Sequence, residues 1–229
     1  MFFRSGGYEG NHDLCLINTD PFTLNNGITS PICLPDQDAH IPPDDDNSIN
    51  HCYVAGWGLD ENMKYVENLR SARVKIFSSE YCANKTHFIS APGVSEDSFD
   101  PETEFCAGTM VGLNTGWTDD VGADTCSGDS GGPLVCVTDG QPVLYGVTSW
   151  GTGCGEYLSP GIYAKVAPNI NWFRQVIINQ LKKQTADSHN DVSYGGYLKN
   201  NNYNPVRQSS VRQLYPYSYA IIAIVSLLY

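Results

Sequence analysis

Gly128-Asp129-Ser130-Gly131-Gly132-Pro133 is the most informative segment of this sequence. Glycines on both sides of Ser130 permit positive φ angles and remove side chains that would block close approach to its hydroxyl. The backbone N–H groups of Gly128 and Ser130 can then point at one position, as the oxyanion of acyl transfer requires. The stretch therefore predicts a nucleophilic serine, and the structural alternative is a tight glycine turn with a capping serine.

Four segments of the chain resemble trypsin-like serine proteases, in that family's chain order. Residues 124–136 resemble the segment that carries the nucleophile. The strand with the triad aspartate is similar to Asn11-His12-Asp13-Leu14-Cys15-Leu16-Ile17. The start of the second barrel is similar to Cys52-Tyr53-Val54-Ala55-Gly56-Trp57-Gly58. The wall of the specificity pocket is similar to Ser149-Trp150-Gly151-Thr152-Gly153-Cys154 together with Pro160-Gly161-Ile162-Tyr163. The resemblance covers about residues 1 to 183. It implies an all-β fold, a double β-barrel of which the second barrel is complete and the first only partial, with a C-terminal helix.

The resemblance implies a serine-type endopeptidase that works through an acyl-enzyme. Ser130 is then the nucleophile, the amides of Gly128 and Ser130 hold the oxyanion, and Asp13 orients an imidazole base. The family's chemistry needs no metal and no organic cofactor. The partner implied is a protein or peptide substrate.

The same resemblance implies a preference for Arg or Lys before the scissile bond. Asp124 occupies the floor of the specificity pocket, where a carboxylate favours a cationic side chain. Gly151 and Gly161 leave room for a long residue, Ser149 hydrogen-bonds the triad aspartate, and Trp150 and Gly151 pair with the substrate backbone. The alternatives are an exposed loop acid for Asp124 and a core residue for Trp150.

The catalytic histidine is where the sequence departs from the family. The family places it in an Ala-Ala-His-Cys context upstream of the triad aspartate, and none of the five histidines, at positions 12, 40, 51, 87 and 189, has that context. His12 neighbours Asp13, but adjacent strand residues point to opposite faces. The free Ile or Val N-terminus that pairs with the aspartate matching Asp129 is also missing. We expect that Met1 is internal to a longer protein and that this chain alone is inactive.

Composition narrows the partners further. The net charge is −12, with 13 basic and 25 acidic residues, which argues against nucleic acid as a ligand because phosphates require basic patches. Asp44-Asp45-Asp46 reads as a solvated loop rather than a cation site, because no further ligand spacing follows it.

Eight cysteines predict an oxidising, extracellular setting, either secreted or anchored at the cell surface. Eight cysteines allow 105 pairings, so the residues alone do not select one. The resemblance implies a free buried thiol at Cys15, a disulfide from Cys33 to a propeptide, and the pairs Cys52–Cys136, Cys82–Cys106 and Cys126–Cys154. A zinc site is the weaker alternative, because no C-x-x-C or Cys/His spacing occurs.

The chain divides into three predicted parts. Residues 1–184 form the partial peptidase domain, with strand-like runs such as 73–77, 134–137 and 143–150 and a short helix at 78–82. A helix over 169–183 is expected to bury Ile170, Phe173, Val176, Ile177 and Leu181 on one face. Residues 185–213 read as a flexible polar linker. Residues 214–229 are an apolar tail that fits a GPI-anchor signal, a short membrane tail or a packed segment.

Two other functions remain open at this point. The first is a non-catalytic homologue that binds partners through the same scaffold, although such a protein has no need to keep Ser130, Asp13 and Asp124. The second is an α/β-hydrolase, because 128–132 also fits G-x-S-x-G. That fold requires a strand–elbow–helix, whereas Pro133 and a strand-like run follow the serine here.

Overall fold

The computed structural model describes residues 2–5, 13–17, 19, 30–40, 52–87, 99–109, 122–151, 153–155, 159–188 and 222–223. Its strands, in chain order, are β1 (Phe2–Ser5), β2 (Leu14–Ile17), β3 (Cys52–Gly56), β4 (Arg70–Ile76), β5 (Glu104–Gly108), β6 (Pro133–Thr138), β7 (Gln141–Trp150), β8 (Gly161–Lys165) and β9 (Ile222–Ala223). Helix α1 spans Ser79–His87, and helix α2 spans Ile170–Ser188 after a single 3₁₀ turn, Ala167–Asn169.

Six of these strands close into a barrel in the order β3-β4-β5-β8-β7-β6, with every neighbouring pair antiparallel. Closure leaves no unpaired strand edge. The interior is filled by apolar side chains that alternate with outward-facing ones, among them Val54, Val74, Ile76, Phe105, Leu134, Tyr145 and Tyr163. The loops at the strand ends therefore project from a rigid frame.

A smaller sheet has the order β1-β2-β9 and is antiparallel throughout. Alternation on β2 buries Leu14 and Leu16, which join a cluster with residues of β7, β8 and α2, including Val147, Ala164, Ile170 and Phe173. This packing fixes the start of β2, and with it Asp13, against the barrel. None of the helices in the described part of the chain has the length and apolarity needed to cross a bilayer.

The all-β prediction with a closed barrel and a C-terminal helix is confirmed. Helix α1 begins after Ser78, whose Oγ accepts a hydrogen bond from the amide of Tyr81 at 3.2 Å, as an N-cap does. Asp139 and Gly140 both have positive φ, 50° and 73°, at the tight turn between β6 and β7.

One detail of the helix prediction is wrong. Ile170 and Phe173 are each only 4% exposed, but Leu181 is 47% exposed. The cluster that covers α2 reaches Val176 and includes no later helix residue among those described. The helical spacing of apolar residues thus continues beyond the surface that buries them. The division at residues 184 and 213 stays a prediction.

Three disulfides are formed, Cys52–Cys136, Cys82–Cys106 and Cys126–Cys154, the pairs that the resemblance implies. The first joins residues that face each other across β3 and β6. Cys15 and Cys33 are free thiols, and Cys15 is half-buried rather than fully buried because it lies on the face of β2 opposite Leu14 and Leu16. The acidic run at 44–46 lies outside the described residues.

Candidate active site

Backbone hydrogen bonds close the turn that carries Ser130. The amide of Asp129 donates to the carbonyl of Cys126 at 2.9 Å, and the amide of Gly132 donates to the carbonyl of Asp129 at 2.8 Å. Gly128 and Gly131 have φ angles of 99° and 82°, which L side chains rarely adopt. Ser130 is exposed, and among the described residues neither its amide nor that of Gly128 donates to a protein acceptor. The turn thus presents an accessible hydroxyl and two available N–H groups.

The Asp129 carboxylate lies in a cradle of backbone formed by Gly56, Gly58 and Cys126. Its Oδ1 accepts from the amide of Gly58 at 2.7 Å, and its Oδ2 accepts from the amide of Cys126 at 2.9 Å. A Cβ on Gly58 would lie 2.5 Å from Oδ2, and one on Gly56 closer still to Oδ1. Only glycines fit there, so the end of β3 and the serine turn are built around one carboxylate.

Asp13 is brought to the same end of the barrel by a side-chain hydrogen bond. The Oγ of Ser149 donates to its Oδ2 at 2.7 Å. Ser149 is 5% exposed, so the bond is made where a missing partner would be costly. Ser149 and Asp13 are 136 residues apart in the sequence, so this bond joins two segments that are distant along the chain.

Three consecutive residues at the end of β7 connect the predicted site residues. The carbonyl of Thr148 accepts from the amide of Gly131, and its amide donates to the carbonyl of Gly132, both at 2.9 Å. Ser149 bonds Asp13, and Trp150 pairs with Ile162 on β8, next to Gly161. The serine turn, the acid and the predicted pocket wall therefore share one strand end.

Asp124 lies partly buried beside Gly161. A Cβ on Gly161 would be 2.9 Å from Asp124 Oδ1, and one on Gly151 would be 3.8 Å from the Cα of Gly161. Burial raises the pKa of Asp124 to about 7, against the opposing effect of hydrogen bonds from the amides of Thr125, at 2.7 Å, and Gly155, at 3.3 Å. Asp124 is therefore a desolvated carboxyl beside Gly161, and not the exposed loop acid of the alternative interpretation.

Comparison with known proteins places this geometry in a family. The family model described as Trypsin matches residues 2–173. The chain belongs to the trypsin family. The chain is 38% identical to serine protease 56 of Homo sapiens over 168 residues, which are 72% of this chain and 24% of that protein, and the Mus musculus counterpart gives the same figures. It is 36% identical to the hepatocyte growth factor activator serine protease of Homo sapiens over 172 residues, which are 72% of this chain and 23% of that protein. The chain spans about a quarter of the length of these relatives.

Family membership makes the chain a hydrolase homologue of the serine protease type. Among the histidines, the described side chains include only that of His40, which is exposed. Within the described ranges, no group of three or more His, Cys, Asp or Glu side chains is placed to hold a metal ion.

Two residues that contact the candidate site were not predicted from the sequence. The Tyr65 ring lies against Gly128, where a Cβ would be 2.8 Å from Cε1. Glu104 is 4% exposed at the start of β5 and accepts a hydrogen bond from the indole of Trp150 at 3.0 Å. A signal for Glu104 existed in the sequence, because a lone acid opens an otherwise apolar run, Glu104–Gly108. Nothing in the sequence marked Tyr65.

Proposed function

We propose that this chain carries the nucleophile, the oxyanion donors, the triad acid and the specificity pocket of a serine endopeptidase that cleaves after Arg or Lys. The observation that supports it most is the strand end at 148–150. There Thr148 bonds both glycines that follow Ser130, while the next residue, Ser149, holds Asp13. A binding module has no need to link an accessible serine to a half-buried acid in this way.

The reaction proposed is acyl transfer in two steps. An imidazole takes the Ser130 proton as Oγ attacks the carbonyl carbon, and the carbonyl oxygen becomes an anion that accepts from the amides of Gly128 and Ser130. The imidazolium then gives its proton to the leaving amine, which leaves an ester on Ser130. Water hydrolyses the ester by the same route. Asp13 orients the imidazole and stabilises its protonated form.

Specificity for Arg or Lys rests on Asp124. A carboxyl whose ionisation is opposed by burial gains most from a cation placed against it, because the pair is then formed away from water. The adjoining Gly151 and Gly161 lack the side chains that would occupy the approach to the carboxylate. The natural substrate is accordingly a protein or peptide with an accessible basic residue, and the three disulfides favour an extracellular location.

None of the five histidines lies in the sequence context of the family's base, so we assign the imidazole to none of them and expect the chain alone to be inactive. A disulfide from the exposed Cys33 to a propeptide and a membrane anchor in the apolar tail belong to the same proposal. An activated serine of this type should lose its reactivity when the base is absent, because the free hydroxyl is a weak nucleophile.

Active-site labelling tests the proposal. Protein that carries this chain behind a histidine-containing N-terminal half is treated with an arginine-analogue phosphonate and, in parallel, with a fluorophosphonate. We expect mass spectrometry to locate both adducts on Ser130, and Ser130→Ala to remove them. Asp124→Asn should abolish only the arginine-directed adduct. No adduct on Ser130 in a folded protein would refute the proposal and favour the non-catalytic homologue.

A further inference from the structure

Glu104 is a buried carboxyl with no place in the triad or the pocket. It opens β5, all five of whose residues are buried, and its own exposure is 4%. A buried carboxyl without hydrogen-bonding partners would be costly, so its partners indicate what it does.

Each carboxylate oxygen of Glu104 accepts one hydrogen bond, and the two donors belong to different segments. Oε1 accepts from Nε1 of Trp150 at 3.0 Å, and Oε2 accepts from the amide of Asp100 at 3.2 Å. The Asp100 turn is itself firmly built, because Asp100 Oδ2 accepts from Thr103 Oγ1 at 2.7 Å and Lys165 Nζ donates to the carbonyl of Pro101. Glu104 therefore ties the Trp150 indole to an anchored turn.

We propose that Glu104 is a positioning residue for substrate binding: by fixing the Trp150 indole, it sets the affinity for substrate residues on the N-terminal side of the scissile bond. Trp150 is half-buried at the end of β7, next to Ser149 and Gly151, so one side of it remains available to a ligand. The inference rests on the proposed function, because it takes the strand end at 149–151 as the edge along which a substrate lies.

The charge on Glu104 makes this contact sensitive to pH. The pKa of Glu104 is raised to about 7, mainly by burial. The hydrogen bonds from Trp150 and the Asp100 amide oppose this rise, and the charges of Asp100 and Asp13 add to it. The charged group on the adjoining β8 is Lys165, whose ammonium is engaged by Pro101. Below pH 7 the protonated carboxyl keeps one good acceptor for two donors, so the hold on the indole weakens.

The first measurement follows the hydrogen bond itself. In the full chain labelled with ¹⁵N, the Trp150 indole N–H resonance is assigned by its loss in Trp150→Phe. We expect this resonance to shift with pH with a midpoint near 7 in the wild type, to stop shifting in Glu104→Gln, and to shift normally in Glu102→Gln, an exposed acid of the same turn. A Trp150 resonance that keeps its titration in Glu104→Gln would overturn the inference.

The second measurement is equilibrium binding of two ligands, which requires no catalytic base. Benzamidine probes the Asp124 pocket alone, and a tetrapeptide ending in arginine probes the pocket and the Trp150 edge together. We expect Glu104→Leu to weaken tetrapeptide binding about fivefold to tenfold and to leave benzamidine binding unchanged. The tetrapeptide affinity of Glu104→Gln, which retains one acceptor oxygen, should fall between those of the wild type and Glu104→Leu.

The outcomes separate the two proposals. Wild-type protein that binds neither ligand would refute the proposed pocket, and the role assigned to Glu104 would fall with it. Normal benzamidine binding with unchanged tetrapeptide binding in both Glu104 variants would refute the positioning role alone. Should Glu104→Leu lose benzamidine binding through misfolding, Glu104→Gln decides the question, since it preserves side-chain volume.

Discussion

The affinity of this protein for a cationic ligand is expected to fall steeply as the pH drops below about 7, because Asp124 must ionise to bind it. Burial is the main cause of the raised pKa, and the neighbouring Asp129 charge adds to it. In the free protein at pH 8 about nine-tenths of the Asp124 carboxyls are ionised, at pH 6 about one-tenth, and at pH 5 about one-hundredth.

For a ligand such as benzamidine, which stays protonated throughout this range and binds the ionised form, the dissociation constant should therefore rise about tenfold between pH 8 and pH 6, and about tenfold again by pH 5. Binding at pH 6 should also release close to one proton per ligand, since complex formation forces Asp124 to ionise. Calorimetry in buffers of different ionisation enthalpy measures both quantities in one experiment.

Two variants complete the test. Asp124→Asn should abolish the pH dependence together with most of the affinity, whereas Asp38→Asn, a change at an exposed aspartate outside the barrel, should alter neither. A benzamidine dissociation constant that stays level from pH 8 to pH 5, with no proton released, would show that the carboxyl at 124 is not desolvated in the way described.

Three further substitutions are expected to have measurable effects in urea unfolding. Gly58→Ala should cost about 1–3 kcal/mol, because its Cβ would lie 2.5 Å from Asp129 Oδ2, whereas Gly108→Ala, with its nearest contact at 3.6 Å, should cost little; equal costs would contradict the cradle. Ser149→Ala should cost about 1–3 kcal/mol by leaving a carboxylate oxygen without its donor, and a neutral result would contradict that bond. With a pKa raised from 4.5 to about 7, Glu104 should lower the unfolding free energy by about 3 kcal/mol as pH rises from about 4 to 7, and Glu104→Gln should remove this slope.

Local chemistry explains which parts of the site could be predicted from sequence. The turn at 128–133 requires glycines whatever surrounds it, so its residues reveal it directly. The barrel strands follow from alternation and turn residues. Whether a helix face is buried depends on segments that are distant in the sequence, so the local pattern does not show it. Leu181 fits the helical spacing of buried residues, yet it is exposed.

The role of Glu104 could not be predicted from local sequence either. Its role depends on a donor 46 residues away on Trp150, and the strand pattern gives no indication that an indole N–H will meet it. The Tyr65 ring reaches Gly128 from a loop between β3 and β4, so its position depends on the path of that loop. Contacts of this kind between distant segments are set by the assembled barrel and not by local sequence.

The two backbone hydrogen bonds between Thr148 and the serine turn constrain how this part of the protein can evolve. Both bonds to the serine turn use main-chain atoms, which every residue type but proline supplies in full. Substitutions at this position other than proline should therefore leave the spacing between Ser130 and Asp13 unchanged. Insertion or deletion of a single residue there would shift the register of β7 and change that spacing. Divergence in this part of the chain should proceed by exchange of side chains at constant length.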